Sequence, residues 1–203
     1  TENLELYNEL EKGPDAFAML SAHVGNYEMG GYTLVAKSKC IYMLVFGQET
    51  QTVMENRQEQ FGKTNIRMVP VGNGMNHLFA INEALTTGQI LSMTADRRFG
   101  SEKAVPCNFF GAEALFPMGP FATVIQRDVP TLVVLVVKTG TRSYHAVVKR
   151  LPMPEAHLPR KERIALLAQA YANELENVVR QYPEQWFNFF NIWTTTTCQN
   201  PKQ

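Results

Sequence analysis

Ser21-Ala22-His23-Val24-Gly25-Asn26-Tyr27-Glu28 directly follows an apolar run, Ala16-Phe17-Ala18-Met19-Leu20. The run has the length and composition of a buried strand, so a strand-to-helix turn is expected at the histidine. Glycine stands two residues beyond His23 and a carboxylate five residues beyond it. Open α/β sheets place their sites at the carboxyl ends of strands, where a histidine has both access and useful chemistry. The octet thus points to a fold class and to a site within it.

Elements of the same class extend to both sides. Leu4, Tyr7 and Leu10 share a helical face over residues 2–12, and Gly13-Pro14 ends that helix. A helix is expected over about 26–37, where Gly30-Gly31 weakens the first turns or admits another backbone. Ile41-Tyr42-Met43-Leu44-Val45-Phe46 predicts a second buried strand, and residues 50–61 a polar helix ending at Gly62. Ile66-Arg67-Met68-Val69-Pro70 predicts a short third strand, with Pro70 at its end or on a sheet edge. A helix over 74–87 stops at Gly88, and Gln89–Thr94 forms a fourth strand leading to Asp96. The Gly-, Pro- and Phe-rich stretch from Phe99 to Pro117 reads as irregular, followed by a short helix over 120–128. Thr131–Val137 is the most apolar strand, and Tyr144–Lys149 alternates like its antiparallel neighbour. Over 160–182, Ile164, Leu167, Ala168, Tyr171, Leu175, Val178, Val179 and Tyr182 form one apolar stripe, as core packing requires. Strands alternating with helices predict one α/β domain over 1–203 with a mostly parallel sheet.

Composition narrows the function. The chain has 203 residues, 45% of them hydrophobic and 19% charged, an ordinary globular balance. Nineteen basic residues against nineteen acidic ones argue against nucleic acid as a partner, since backbone binding rests on clustered cations. Cys40, Cys107 and Cys198 are widely spaced, with no disulfide or metal-ligand pattern, as in a reducing compartment. No run approaches the roughly 18 apolar residues of a membrane span. The chain opens at Thr1, directly in a helical pattern, so an excised catalytic region is expected, leaving any anchor on the parent open.

His23 and Glu28 are the first candidates for chemistry. On an ideal helix a five-residue separation is about 140° around the axis, so the pair needs His23 in the loop and Glu28 in the first turn. Glu28 could then accept from one ring nitrogen and raise the basicity of the other, as a general base activating a hydroxyl requires. The amides of Gly25 and Asn26, near a helix N-terminus, could hold an oxyanion or phosphate. Arg67 is either a surface ion pair or a phosphate contact. Asp96 is either a helix cap or a site residue. Arg97 and Arg98 are solvated or grip a phosphate. Phe109, Phe110 and Phe116 are core aromatics or the lining of an apolar channel. Trp186 reads as packing, and His77, His145 and His157 have no motif around them.

The octet resembles the His-x4-acid motif of the lysophospholipid acyltransferase superfamily, in the His-x-Gly-Asn-aromatic-Glu form of the bacterial lipid A acyltransferases. Later segments resemble that family in the same order. These are Arg67, Ala84-Leu85-Thr86-Thr87-Gly88-Gln89 with the strand ending in Asp96, Phe109-Phe110-Gly111, Phe116-Pro117-Met118-Gly119-Pro120, Val129-Pro130 and Pro183-Glu184-Gln185-Trp186. Where members carry basic residues after that last signature, this chain has Asn188-Phe189-Phe190-Asn191-Ile192-Trp193.

The resemblance implies a layered α/β/α domain like the glycerol-phosphate acyltransferases. It implies an O-acyltransferase with His23 and Glu28 as the general-base dyad, and Gly25, Asn26, Arg67, Asp96, Arg97 and Arg98 on the substrate. Phe109, Phe110 and Phe116 would line the acyl channel. The implied donor is an acyl-carrier protein or CoA thioester, and the implied acceptor a lipid A precursor or related glycolipid. No metal or other cofactor is implied. The implied place is the cytoplasmic face of the bacterial inner membrane, peripheral or held by a segment outside this chain. A phospholipid-like or aminolipid acceptor is the nearest alternative, and a catalytically silent lipid-binding module the more distant one.

Overall fold

The computed structural model describes residues 3–26, 34, 36–46, 64–72, 74–98 and 102–194. The helices expected over 26–37 and 50–61 lie almost wholly outside them. In chain order the elements are α1 (Leu4–Lys12), β1 (Phe17–Ser21), β2 (Ile41–Phe46), β3 (Ile66–Val71), α2 (Asn76–Thr86), β4 (Ile90–Thr94), β5 (Ala104–Phe109), β6 (Ala112–Pro117), α3 (Met118–Arg127), β7 (Thr131–Lys138), β8 (Tyr144–Arg150) and α4 (Arg160–Gln181).

Six strands form one sheet in the order β3-β2-β4-β1-β7-β8. The pairs from β3 to β7 are parallel, and only β7 with β8 is antiparallel. β1 is therefore a central strand, flanked by β4 and β7, which explains its unbroken apolar character. Alternation along it sorts the two faces. Phe17 and Met19 enter a core with Tyr7 of α1, while Ala18, Leu20 and Ala22 face the larger core beneath α2, α3 and α4. That larger core holds Phe109, Phe116, Phe121 and Tyr171, all with no exposed surface, and truncating any one of these phenylalanines to alanine costs about 3–5 kcal/mol.

The stretch expected to be irregular is instead a two-stranded hairpin, β5 with β6. Its turn is Phe110-Gly111, both at positive φ (56° and 80°), the backbone a two-residue hairpin needs. Val105, Cys107 and Phe109 point inward while Pro106 and Asn108 are exposed, so a period-two signal was present in the sequence. The hairpin packs under α4, with the Gln169 side chain accepting from Asn108 N and donating to Asn108 O.

On the opposite face, buried Glu11 at the end of α1 accepts from the backbone N–H groups of Lys37 and Ser38. Burial alone would raise its pKa, but these donors hold it below the ordinary carboxylate value. A depressed folded pKa stabilises the fold at pH above the unfolded value and loses that contribution as pH falls through the folded one. Glu11→Ala is accordingly expected to cost about 1–3 kcal/mol at neutral pH. In denaturant unfolding the gap from wild type should close on acidification; a gap constant with pH contradicts the assignment.

Candidate active site

The parallel register of β1 and β4 ends with Ser21 opposite Thr94. Continued two residues further, it sets His23 beside Asp96. Ala95 N donates to Ser21 O at 2.9 Å, the last regular rung. At the next position a side chain takes over from the backbone: His23 N donates to Asp96 Oδ2 at 2.9 Å. The ring follows, with His23 Nδ1 2.8 Å from Asp96 Oδ1. The third contact comes from Trp186, whose Nε1–H donates to Asp96 Oδ2 at 3.2 Å.

Asp96 has no exposed surface, whereas the His23 side chain keeps 19% of its own. A carboxylate so deeply enclosed is tolerable only with its oxygens bonded, and three donors converge on it here. An ionised carboxylate can only accept, so Nδ1 carries the proton and the ring's basic lone pair belongs to Nε2. Below the pair, Tyr171 donates to Ser21 O at 2.7 Å and so supports the end of β1. Burial, and then the nearby Asp96 charge, push the Tyr171 hydroxyl well above its ordinary pKa, keeping it a neutral donor.

The turn beyond His23 is fixed by backbone bonds. Gly25 sits at φ 59°, the left-handed region, and pairs in parallel with Val136 of β7. Gly25 N donates to Gln185 O at 2.7 Å and Asn26 N to Val136 O at 3.0 Å. These two amides were expected to face an oxyanion or phosphate. Both are spent within the protein, because the turn docks against β7 and the residues after α4.

That last segment closes the site. It leaves α4 through a short 3₁₀ turn (Pro183–Gln185), and Phe187 N donates to His23 O at 2.8 Å. Gln185 holds the end of β7 by donating to Lys138 O and accepting from Lys138 N, both at 2.8 Å. Trp186 packs edge-on against Phe109 and Trp193, with ring centroids 5.4 and 6.3 Å away. The role of Trp186 as a donor to the site's carboxylate was missed; Pro-Glu-Gln-Trp was its only signal.

The other expected site residues are distributed unevenly. Glu28 lies outside the described residues. Arg97 donates to Phe187 O and stands 5.5 Å over the Phe190 ring, so it ties the closing segment to β4. Its Nε is buried with no partner. Arg98 is exposed. Arg67 is not brought to His23. It lies on the edge strand β3, in register with Tyr42, Leu91 and Ala18, and so three strands across and five residues back. Strand spacing and rise put it on the order of 20 Å away. There it bonds Tyr42 Oη at 3.2 Å and both oxygens of Glu83, at 3.0 and 3.1 Å. Phe109 and Phe116 are fully buried and pack edge-on against aromatic neighbours. Phe110, on the hairpin turn, is partly exposed beneath the Arg180 guanidinium. Burial pushes the Cys107 thiol up to about 12, so it is a packed residue and not a nucleophile.

A mostly parallel six-stranded sheet flanked by helices is the fold of the lysophospholipid acyltransferase superfamily. The family model for bacterial lipid A biosynthesis acyltransferases matches residues 1–195, and the chain belongs to that family. It is accordingly an acyltransferase. Comparison with curated proteins gives no match. Among the described residues no helix is long and apolar enough to cross a membrane.

Proposed function

We propose that the protein moves a fatty acyl group from an acyl thioester, on acyl-carrier protein or CoA, to a hydroxyl of a lipid A precursor or related glycolipid. The carrying observation is the 2.8 Å contact between His23 Nδ1 and buried Asp96. With Nδ1–H held by the carboxylate, Nε2 takes the proton of the acceptor hydroxyl as its oxygen attacks the thioester carbonyl. The tetrahedral intermediate collapses by breaking the C–S bond, and the imidazolium returns the proton to the departing thiolate. The acyl group passes directly from sulfur to oxygen.

The sequence assigned the orienting carboxylate to Glu28, but the bond on Nδ1 supports Asp96 in that role. Arg97, with an enclosed and unpartnered Nε, and exposed Arg98 support an anionic group of donor or acceptor being held beside the histidine. The reaction is placed at the inner-membrane surface, where lipid acceptors reside.

The test follows thiol release from acyl-carrier and CoA thioesters, with and without lipid A precursors, phospholipids and aminolipids. Release that needs an acceptor, produces an ester and disappears in His23→Ala is the expected result. Lipid binding without release, unchanged by that substitution, would mean a binding module instead. Ester formation only on a phospholipid or aminolipid would reassign the acceptor.

A further inference from the structure

We propose that the carboxyl edge of the sheet is a lipid-docking face, held on an anionic bilayer by two apolar clusters that flank His23. One cluster is Phe187, Phe189 and Phe190; the other is Met75, Leu78 and Phe79. The proposal rests on the preceding reading that the acceptor is a membrane lipid.

The clusters are placed by the topology. β3 ends at Val71 and the chain turns into α2, so the start of α2 sits at the same sheet edge as the ends of β1 and β4. Met75, Leu78 and Phe79 stand there 63%, 50% and 66% exposed. The other cluster is fastened to the site by Phe187 N on His23 O and by Arg97 on Phe187 O. Phe189 is 85% exposed and Phe190 55%. Tyr144, also exposed, is opposite Lys138 at the end of β7 and so shares this edge. Leu166, near the start of α4, stands apart from it. Exposed apolar side chains are normally scattered singly, and such a concentration around one edge marks a binding surface.

Charge on that edge selects the occupant. Arg97, Arg98, Lys138 and Arg142 lie along it among the described residues, against the acidic Glu184. Aromatic side chains that protrude beside cations suit an interface where rings enter the acyl-chain boundary and cations meet phosphate. The geometry of the reaction demands the same contact. The His23 side chain keeps little exposed surface and stands at the carboxyl end of β1, so the hydroxyl of a bilayer lipid reaches it with this edge lying against the headgroups.

Flotation with vesicles of phosphatidylcholine alone, and of phosphatidylcholine mixed with phosphatidylglycerol, tests the assignment. Wild type is expected on both, more tightly on the mixture. Phe189→Ser and Phe79→Ser should each weaken binding to either vesicle about tenfold, and Arg98→Gln should remove about fivefold from the mixture alone. Both serine variants should keep their thermal midpoint and their turnover on a short-chain acceptor soluble as monomer, while losing turnover on the vesicle-embedded one. Wild-type vesicle binding by the serine variants overturns the proposal. So does a loss seen instead in acyl-carrier protein binding or in self-association, which would give the face to a protein. His23→Ala should still float with vesicles. If transfer proves independent of His23, the chemical reading fails and the docking result stands on binding alone.

Discussion

Turnover of the Asp96→Asn protein is expected to fall about 10⁴-fold with most of its stability retained. The amide keeps the shape of the carboxylate but replaces one acceptor oxygen by a donor. Opposite His23 Nδ1, a donor forces the imidazole into the other tautomer, with the proton on Nε2, where the base is needed. Asp96→Ala should lose a similar factor and also stability, because His23 N and Trp186 Nε1 are left buried without an acceptor. His23→Ala should fall at least as far, and combining it with Asp96→Asn should add almost nothing, as for groups that act as one unit. Glu28→Ala is the comparison that decides between carboxylates. If it abolishes turnover in a folded protein while Asp96→Asn stays within tenfold of wild type, Glu28 is the orienting acid and the Asp96 contact is structural.

Among the described glycines, Gly25→Ala should be the most damaging added methyl. A Cβ at this position would lie inside van der Waals contact of Val136 O, 2.9 Å from Val137 Cα and 3.0 Å from Val136 C. All three are backbone atoms of central strand β7, which cannot move without breaking its ladders to β1 and β8. The left-handed φ adds about 1–2 kcal/mol for a residue with a side chain. Relief requires the turn to leave β7, which forfeits the bonds from Gly25 N and Asn26 N. A loss of about 3–5 kcal/mol is expected in denaturant unfolding, together with loss of turnover. That coupling separates it from His23→Ala, which should lose turnover alone. A stable, active Gly25→Ala protein would contradict the described turn.

The strand through Leu20 and the histidine after it were legible because both signals are local: an apolar run, then a versatile side chain at its end. The partner of that histidine was not. Asp96 is 73 residues away, and its place depends on β4 pairing with β1 rather than with another strand. Arg67 shows the same limit from the other side. Its strand was recognised, but strand order puts β3 on the far edge, where Glu83 and Tyr42 claim the guanidinium. The β5–β6 hairpin escaped notice because Pro106 and Pro117 interrupt the pattern and Phe110-Gly111 lacks the usual Asn-Gly or Asp-Gly turn signal. The amides of Gly25 and Asn26 show a related limit: which distant carbonyl a donor meets is set by the fold.

The closing segment after α4 has a consequence for biosynthesis. His23 leaves the ribosome first, Asp96 73 residues later, and the Trp186 indole that completes the carboxylate's bonding 90 residues after that. Contacts this remote in sequence form last and slowly. The nascent chain therefore carries His23 without these partners until Trp186 has emerged. The bonding around Asp96 is complete only when the segment after α4 has folded back onto the turn after β1.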